Sequence, residues 1–92
     1  MVGLEVRNLD LRIMRELGLK AKTVGVVVVD VELDNAADRA GVIPGDVIQA
    51  INKQPVRTVK DYERIASHLK KGEPVVLLIN RRGAGLFLSV KP

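Results

Sequence analysis

Few residues in this 92-residue chain could act as a nucleophile or a base. Ser67 and Ser89 are its serines, and His68 is its single histidine. A Ser–His–Asp site needs a serine and an imidazole whose side chains face each other. Ser67 and His68 are neighbours on a predicted helix, where adjacent side chains are expected to diverge. The sequence therefore predicts no serine-type catalytic site and an exposed histidine.

Metal, thiol and phosphate chemistry find no better support. The chain has no cysteine, which excludes disulfides, thiol catalysis and cysteine-based zinc sites. The acidic residues Asp30, Glu32, Asp34 and Asp38 lack the spacing of a calcium loop and favour a solvated strand edge. The glycines around Ala84 lead into a predicted strand, which indicates a hairpin turn and not a phosphate loop. We expect no metal, no cofactor and no catalytic activity in this chain.

Composition points to one small, sheet-rich domain. The chain is 47% hydrophobic but only 2% aromatic, with a formal net charge of +4. A core of β-branched aliphatic residues favours strands, and the scarcity of aromatic residues leaves no stacking platform for single-stranded nucleic acid. The longest apolar run, residues 24–29, is too short to cross a bilayer. We expect neither a nucleic-acid partner nor direct membrane insertion, and no targeting segment is visible.

Local signals divide the first half of the chain into short elements. Apolar and charged residues alternate at the start, which predicts a strand, and Asp10 begins a short helix that Gly18 closes. Asn35 is placed to cap a helical turn over residues 36–40. Pro44 and Gly45 fit a type II turn. Strands are predicted over residues 24–31 and 47–51.

The longest predicted helix lies in the second half, over residues 58–71. Thr58 and Asp61 form a capping pattern, and Lys70 and Lys71 occupy its last turn, where they complement the helix dipole. An apolar stripe of Tyr62, Ile65, Ala66 and Leu69 would face the body of the domain. The apolar run of residues 75–79 predicts a strand buried on both faces, and residues 86–90 alternate as a final strand.

The middle of the chain resembles the signature of PDZ domains. Residues 35–48, NAADRAGVIPGDVI, are similar to the pattern SPA-x-x-AGL-x-x-GD-x-I, and residues 51–56 resemble the VNG-x-PV turn that follows it. Asn35-Ala36 replaces Ser-Pro, a change that leaves a good helix cap. Lys53 stands where glycine is common, so we expect a looser turn or a strained lysine. The whole chain looks most like the second PDZ domain of bacterial HtrA (Do-like) serine proteases.

This resemblance implies the fold class α+β, mainly β. The expected architecture is a PDZ-like, five- to six-stranded antiparallel, partly open β-barrel or sandwich. One long and one or two short helices would cap it, in the permuted bacterial form in which the peptide-binding strand opens the domain. Residues 1–92 are expected to be a single PDZ domain excised from a larger protease.

The resemblance also implies a peptide-binding groove between the first strand and the long helix. An extended peptide would add to the free strand edge. The backbone N–H groups of residues 2–4 would cradle its terminal carboxylate, while side chains of the strand and the helix line the pocket for its last residue. The expected site residues are Val2, Gly3, Leu4, Glu5, Val6, Tyr62, Ala66 and Leu69.

Three functions follow as expectations. The first is a non-catalytic module that binds C-termini or extended segments of unfolded or partner proteins for an attached HtrA-type serine protease, in the periplasm or cell envelope. The second is an assembly module that contacts other domains of the parent protease, through the Tyr62 face or the turn at Arg81 and Arg82. The third is the PDZ domain of a membrane-embedded metalloprotease.

Overall fold

A computed structural model describes residues 3–91 of the chain. Its elements follow one another as strand, helix, strand, helix, two strands, helix and two strands. The strands are β1 (Leu4–Asn8), β2 (Val26–Val31), β3 (Val47–Ile51), β4 (Gln54–Pro55), β5 (Val75–Arg81) and β6 (Ala84–Val90), and the helices are α1 (Leu11–Glu16), α2 (Ala36–Ala40) and α3 (Val59–Ser67).

All six strands belong to one antiparallel sheet. The strand order is β1-β2-β3-β5-β6, with β4 paired to β3, so β1 and β6 lie at the two ends of the order. The sheet does not close on itself. This confirms the predicted fold class: a mainly β, partly open antiparallel architecture with one longer and two short helices.

A register shift interrupts the pairing of β1 with β2. Leu4 and Glu5 pair with Val31 and Asp30, whereas Val6 pairs with Val28, so Val29 is left as the extra residue on β2. A bulge of this kind bends the strand and increases its local twist.

The core lies on one face of the sheet. Its fully buried side chains come mainly from β2, β3 and β5, and from Tyr62 and Ile65 of α3. The expectation that β5 is buried on both faces is wrong. Val76 is 42% exposed and Phe87, across the β5–β6 hairpin, is 72% exposed, because strand side chains alternate between the core face and a face that solvent reaches.

An ion pair between a buried aspartate and a half-buried arginine holds the start of β3. Asp46 is 0% exposed, and Arg81 binds its two oxygens through Nε and Nη2 at 2.8 and 2.9 Å. The backbone N–H of Ile43 donates to the same carboxylate at 3.0 Å, and Arg81 Nη2 also donates to the carbonyl of Gly41 at 2.8 Å. The Asp46 carboxylate raises the pKa of Arg81 above its ordinary value. Because every charge has a partner, the pair fixes the α2–β3 loop to β5.

Most predicted turns and caps are present. Asn35 accepts from the Asp38 N–H at 2.8 Å and caps α2. The turn at Pro44 closes with a bond of 3.1 Å from Asp46 N to Ile43 O, with Gly45 at φ +95°. The β3–β4 turn is tight and holds Lys53 at φ +69°, so the lysine there is strained, as one of the two expectations had it.

Helix α3 is shorter than predicted. It begins after Thr58, whose hydroxyl accepts from Asp61 N at 3.2 Å, but it ends at Ser67 and not at residue 71. The N–H groups of His68 and Leu69 bond back only three residues, which tightens and ends the helix. Leu69 packs against the core from this irregular segment, so Lys70 and Lys71 follow the helix instead of closing it.

Candidate functional site

Strand β1 presents one unpaired edge. The carbonyl of Gly3 accepts from the Glu32 N–H at 2.8 Å, so residue 3 directs its carbonyl toward β2. Successive residues of an antiparallel strand direct their backbone N–H and C=O groups to opposite sides. The N–H and C=O of Leu4 therefore point away from β2, toward the open side. An extended chain laid along this side would find backbone donors and acceptors without partners.

Gly3 occupies a position that no other residue fits well. Its φ is +89°, in the region that favours glycine, and a Cβ built there would lie 1.7 Å from Asn35 Nδ2. The Asn35 side chain therefore packs directly on the backbone at the start of β1. A side chain at residue 3 would displace Asn35, so glycine is required for this packing.

Helix α3 lies along β1 and runs in the opposite direction. The Asn8 side chain accepts from the Val59 N–H at 2.8 Å, which ties the end of β1 to the start of α3. Between the two elements lies a cavity of about 440 Å³, which we call the strand–helix groove. Its lining residues are Leu4, Glu5, Val6, Val59, Tyr62, Glu63, Ala66 and Ser67.

A second, more apolar cavity of about 460 Å³ adjoins the groove at Ala66, which lines both. We call it the end cavity. It lies at the end of α3 that faces the start of β1, and its mouth carries Lys70, Lys71 and Glu73. Its other lining residues are Asn35, Ala36, Ala37, Leu69, Gly72, Val75 and Val90.

The structure brings most of the predicted site residues together. Leu4, Val6, Tyr62 and Ala66 share the strand–helix groove, with Glu5 at its rim. Leu69 lines the end cavity and not the groove. Gly3 lies at the start of the β1 edge. Val2 lies outside the described residues.

Tyr62 is both a groove residue and a core residue. It is 5% exposed, and within residues 3–91 its hydroxyl has no hydrogen-bond partner. Burial disfavours the phenolate and raises the pKa of Tyr62 to about 12. The docking surface predicted at the Tyr62 face is therefore wrong, because almost none of this side chain is available to a partner domain. Arg81, at the other predicted docking surface, is engaged by Asp46.

The side chains of Ser67 and His68 do not diverge as predicted. Ser67 Oγ lies 3.3 Å from His68 Nδ1, and the two atoms converge on the carbonyl of Arg64 at 2.8 and 2.7 Å. A carbonyl only accepts, so Nδ1 carries its proton there and cannot serve as the base for Ser67. The pair is a helix-end arrangement. Within the described part of the chain, no group of three or more acidic, histidine or cysteine residues could hold a metal ion.

Sequence reasoning missed several lining residues. Val59 lies four residues before Glu63, and Glu63 lies three residues before Ala66, so all three face the groove from one side of α3. That helical spacing was a usable signal, but the charge of Glu63 placed it outside an apolar stripe. The residues that α2, β5 and β6 contribute to the end cavity carry no local signal, because only the fold brings them near Ala66.

A family model described as "PDZ domain" matches residues 1–91. A relative from Chlamydia trachomatis serovar D, named "Probable periplasmic serine endoprotease DegP-like", is 37% identical over 90 residues. The match covers 98% of this chain but 18% of the relative, so the chain spans less than a fifth of that protein's length.

Two further similarities come from a structure and a second protease class. The solved structure of "HtrA-type protease AlgW with decapeptide" superposes with a TM-score of 0.88 at 31% identity, and the match covers 99% of this chain and 28% of that chain. A protein from Rhizobium meliloti (strain 1021) that carries the name of a zinc metalloprotease is 38% identical over 66 residues, which are 72% of this chain and 17% of that protein. Among residues 3–91, no helix has the length and apolar character needed to cross a membrane.

Proposed function

Because the chain belongs to the PDZ-domain family, we propose that it binds C-termini or extended segments of unfolded or partner proteins by adding them as a strand to β1. The observation that carries this proposal is the open edge of β1 alongside α3, with the apolar end cavity at one end. The backbone edge supplies affinity that does not depend on ligand sequence, and the cavity supplies a preference for an apolar last residue.

The direction of the ligand follows from the position of the end cavity. An antiparallel strand on β1 would bring its C-terminal end to Gly3 and the end cavity. Lys70 and Lys71 at the cavity mouth would attract the terminal carboxylate. Gly3 and Leu4, together with Val2, would supply backbone N–H groups to it. A short ligand in a groove of this size should bind with a Kd of roughly micromolar, about −8 kcal/mol.

The relatives supply the biological setting of the proposal. We propose that the chain is one domain of a larger HtrA-type serine endopeptidase of the periplasm or cell envelope, for which it captures polypeptide without cleaving it. The DegP-like name of the Chlamydia trachomatis relative supports this reading. The presence of a decapeptide with the AlgW protease supports peptides as ligands.

A peptide titration followed by NMR tests the binding proposal. We expect hexapeptides ending in Val, Leu, Ile or Phe to shift the amide signals of Leu4, Val6, Ala66 and Leu69, and peptides with an amidated C-terminus to bind more weakly. Ala66→Arg should abolish binding because Ala66 lines both cavities. Ala84→Arg, an exposed alanine at the far end of the sheet, is the matched control. Shifts confined to residues away from the groove would contradict the proposal.

One observation favours assembly as a second function. Val76, Leu78 and Phe87 line a cavity of about 480 Å³ on the face of the sheet opposite the core, and Phe87 is 72% exposed. Exposed apolar patches of this kind often mark contacts with other domains. In the parent protease, Phe87→Ser should then change the oligomer size while peptide binding by the groove stays intact. Unchanged oligomer size would dismiss this function.

The metalloprotease alternative depends on the rest of the parent protein. The similarity to the Rhizobium meliloti protein covers 72% of the chain, whereas the DegP-like similarity covers 98%. A serine-protease domain upstream with a Gly-Asn-Ser-Gly-Gly motif would support the HtrA setting. Transmembrane helices with an HExxH motif would support the other.

A further inference from the structure

Strand β6 forms the second free edge of the sheet. It is the last strand in the order and pairs on one side with β5. A two-residue turn joins β5 to β6, and the pair that closes such a turn exchanges both of its backbone hydrogen bonds. Every second residue from Ala84 is therefore bonded to β5, whereas the N–H and C=O groups of Gly85, Phe87 and Ser89 point to the free edge. Among residues 3–91, no helix or loop backbone bonds to these groups.

Strand β6 lacks the features that usually protect an edge. Its seven residues, AGLFLSV, include no charge and no proline, and its register with β5 runs without a shift. Strand β1, by contrast, carries Glu5 and Arg7 and a register shift. Charges, prolines and bulges are the common means by which edge strands avoid further pairing. Their absence makes β6 receptive to an added strand.

Helix α2 lies beside this edge, much as α3 lies beside β1. A cavity of about 180 Å³ separates the two elements, and its lining residues are Ala36, Arg39, Ala40, Ser89 and Lys91. We call this cavity, together with the free edge of residues 85–89, the second edge site. Apolar side chains of an added strand would lie on the outer face of the sheet beside Phe87, which is 72% exposed and offers a cross-strand contact.

The charged residues that flank β6 in sequence or line the cavity are all basic. Arg82 precedes β6, Lys91 follows it and Arg39 lies beside its end; all three are exposed, and within the described residues they form no ion pair. Arg39 donates to the carbonyl of Asp34 through Nη1, which leaves its other N–H groups available. Asp38 of α2 does not line the cavity and accepts from the Asp34 N–H at 2.9 Å.

This charge pattern disfavours a second copy of the chain as the occupant. If β6 paired with itself about a two-fold axis through Phe87, Lys91 of each copy would stand opposite Gly83 and next to Arg82 of the other. Like charges at facing positions destabilise strand pairs. An extended segment with carboxylates near its ends would instead meet opposite charge at both ends of β6.

We propose that β6 is a second strand-addition site, whose ligand is an extended polypeptide segment with a short uncharged stretch between acidic residues. The backbone of Gly85, Phe87 and Ser89 would bond to the segment, and Arg82 and Lys91 would pair with its carboxylates. The site does not involve β1, so it is independent of the proposed peptide groove. Exposed ion pairs are weak, so each acidic end should change the Kd by about two- to threefold.

Three heptapeptides test the proposal. They share the centre Thr-Val-Thr-Val-Thr and carry Glu, Gln or Lys at both ends, and acetylation and amidation remove their terminal charges. In NMR titrations of the 92-residue chain, we expect the glutamate peptide to shift the amide signals of Gly85, Phe87 and Ser89. It should bind about fivefold tighter than the glutamine peptide, and the lysine peptide about fivefold weaker.

Variants of the chain assign the effect to this edge. Phe87→Pro removes an N–H that β5 does not use and should weaken the binding of all three peptides about tenfold. The double variant Arg82→Glu with Lys91→Glu should reverse the order of the peptides. The matched control, Lys20→Glu with Lys22→Glu, makes the same charge change at exposed residues between β1 and β2 and should leave the order intact.

Four other outcomes would overturn the proposal. Equal Kd values for the three peptides would remove the acidic preference. An absence of shifts on β6 would remove the site, with no bearing on binding at β1. Shifts at Leu4 and Val6 that disappear in Ala66→Arg would place the peptide in the strand–helix groove. Shifts at Phe87 that depend on protein concentration without peptide would assign the edge to a second copy of the chain.

Discussion

At the scale of single residues, Tyr62 combines two roles that usually belong to different side chains. Its ring is part of the core, and its side chain lines the groove. The hydroxyl lacks a partner among residues 3–91, which costs stability in the unliganded chain, roughly 1 to 3 kcal/mol for a buried polar group. Tyr62 is therefore a core residue that carries an unpartnered polar atom beside the strand–helix groove.

The titration of Tyr62 can be measured without interference from another tyrosine, because the chain has only one and has no tryptophan. Absorbance at 295 nm should rise with a midpoint near pH 12 in the folded chain and near pH 10 in urea, roughly the ordinary value. The folded-state pKa is the higher one. Stability from the neutral phenol is therefore fully present below pH 10 and is lost as the pH rises toward 12.

Tyr62→Phe provides the control for this loss. The variant should match or exceed the wild type in free energy of unfolding at pH 7, because it removes a buried atom without a partner. At pH 12 the wild type should lose on the order of 2 to 3 kcal/mol relative to the variant. A tyrosine midpoint near 10 in the folded chain would mean that solvent reaches the hydroxyl.

At the scale of elements, the contact that sets the groove is the bond between β1 and α3. Asn8 Oδ1 accepts from Val59 N at 2.8 Å, where an N-terminal helix N–H has no partner within its own helix. The two elements are held together at this end, and the groove opens toward the end cavity.

Asn8→Ala should remove that bond and loosen the end of α3 from β1. We expect the free energy of unfolding to fall by about 1 kcal/mol and the Kd for an apolar C-terminal peptide to rise severalfold. Urea unfolding and anisotropy titration measure the two effects. Asn8→Asp keeps the acceptor oxygen and should restore both values. A peptide Kd that is unchanged in Asn8→Ala would show that the groove does not depend on this contact.

Elements with signals inside their own sequence were predictable, and their ends were less so. Helix α2 has the predicted bounds, residues 36–40, because Asn35 and Gly41 cap it locally. Helix α3 was overextended because Lys70, Lys71 and Gly72 look like a helix terminus. Its actual end at Ser67 accompanies the packing of Leu69 on the core, which is a tertiary effect that no spacing reveals.

At the scale of the whole molecule, the sheet is buried on one face and exposed on the other. The apolar run in β5 is continuous in sequence, so hydrophobic periodicity could not distinguish its buried face from its exposed face. Ile79 is fully buried, whereas Val76 is 42% exposed and pairs with Ser89 of β6, two residues from Phe87.

The candidate site was also predictable only in part. Its strand and helix walls were identified, but the end cavity was not, because it forms only when α2 and β6 are brought beside Ala66.

Two neighbouring substitutions in the hairpin test this one-sided burial. Ile79→Ala should cost about 2 to 5 kcal/mol of unfolding free energy, since it leaves a cavity in the core. Phe87→Ser should cost less than about 1 kcal/mol, because the ring is 72% exposed and loses mainly cross-strand contacts. Urea unfolding measures both. A large loss in Phe87→Ser would mean that the outer face is a second packed layer.

The extra residue at Val29 has a consequence for how much of a ligand can be read. The register of β1 with β2 changes after Glu5, and the added twist turns the rest of β1 away from a straight added strand. Under the proposed function, close contact along β1 would be confined to the last few residues of a ligand. Contact with so few positions carries little sequence information, so it would sort chain ends by the shape of their last side chains and would not identify individual proteins. Such coarse selection would suit the proposed capture of many different polypeptides.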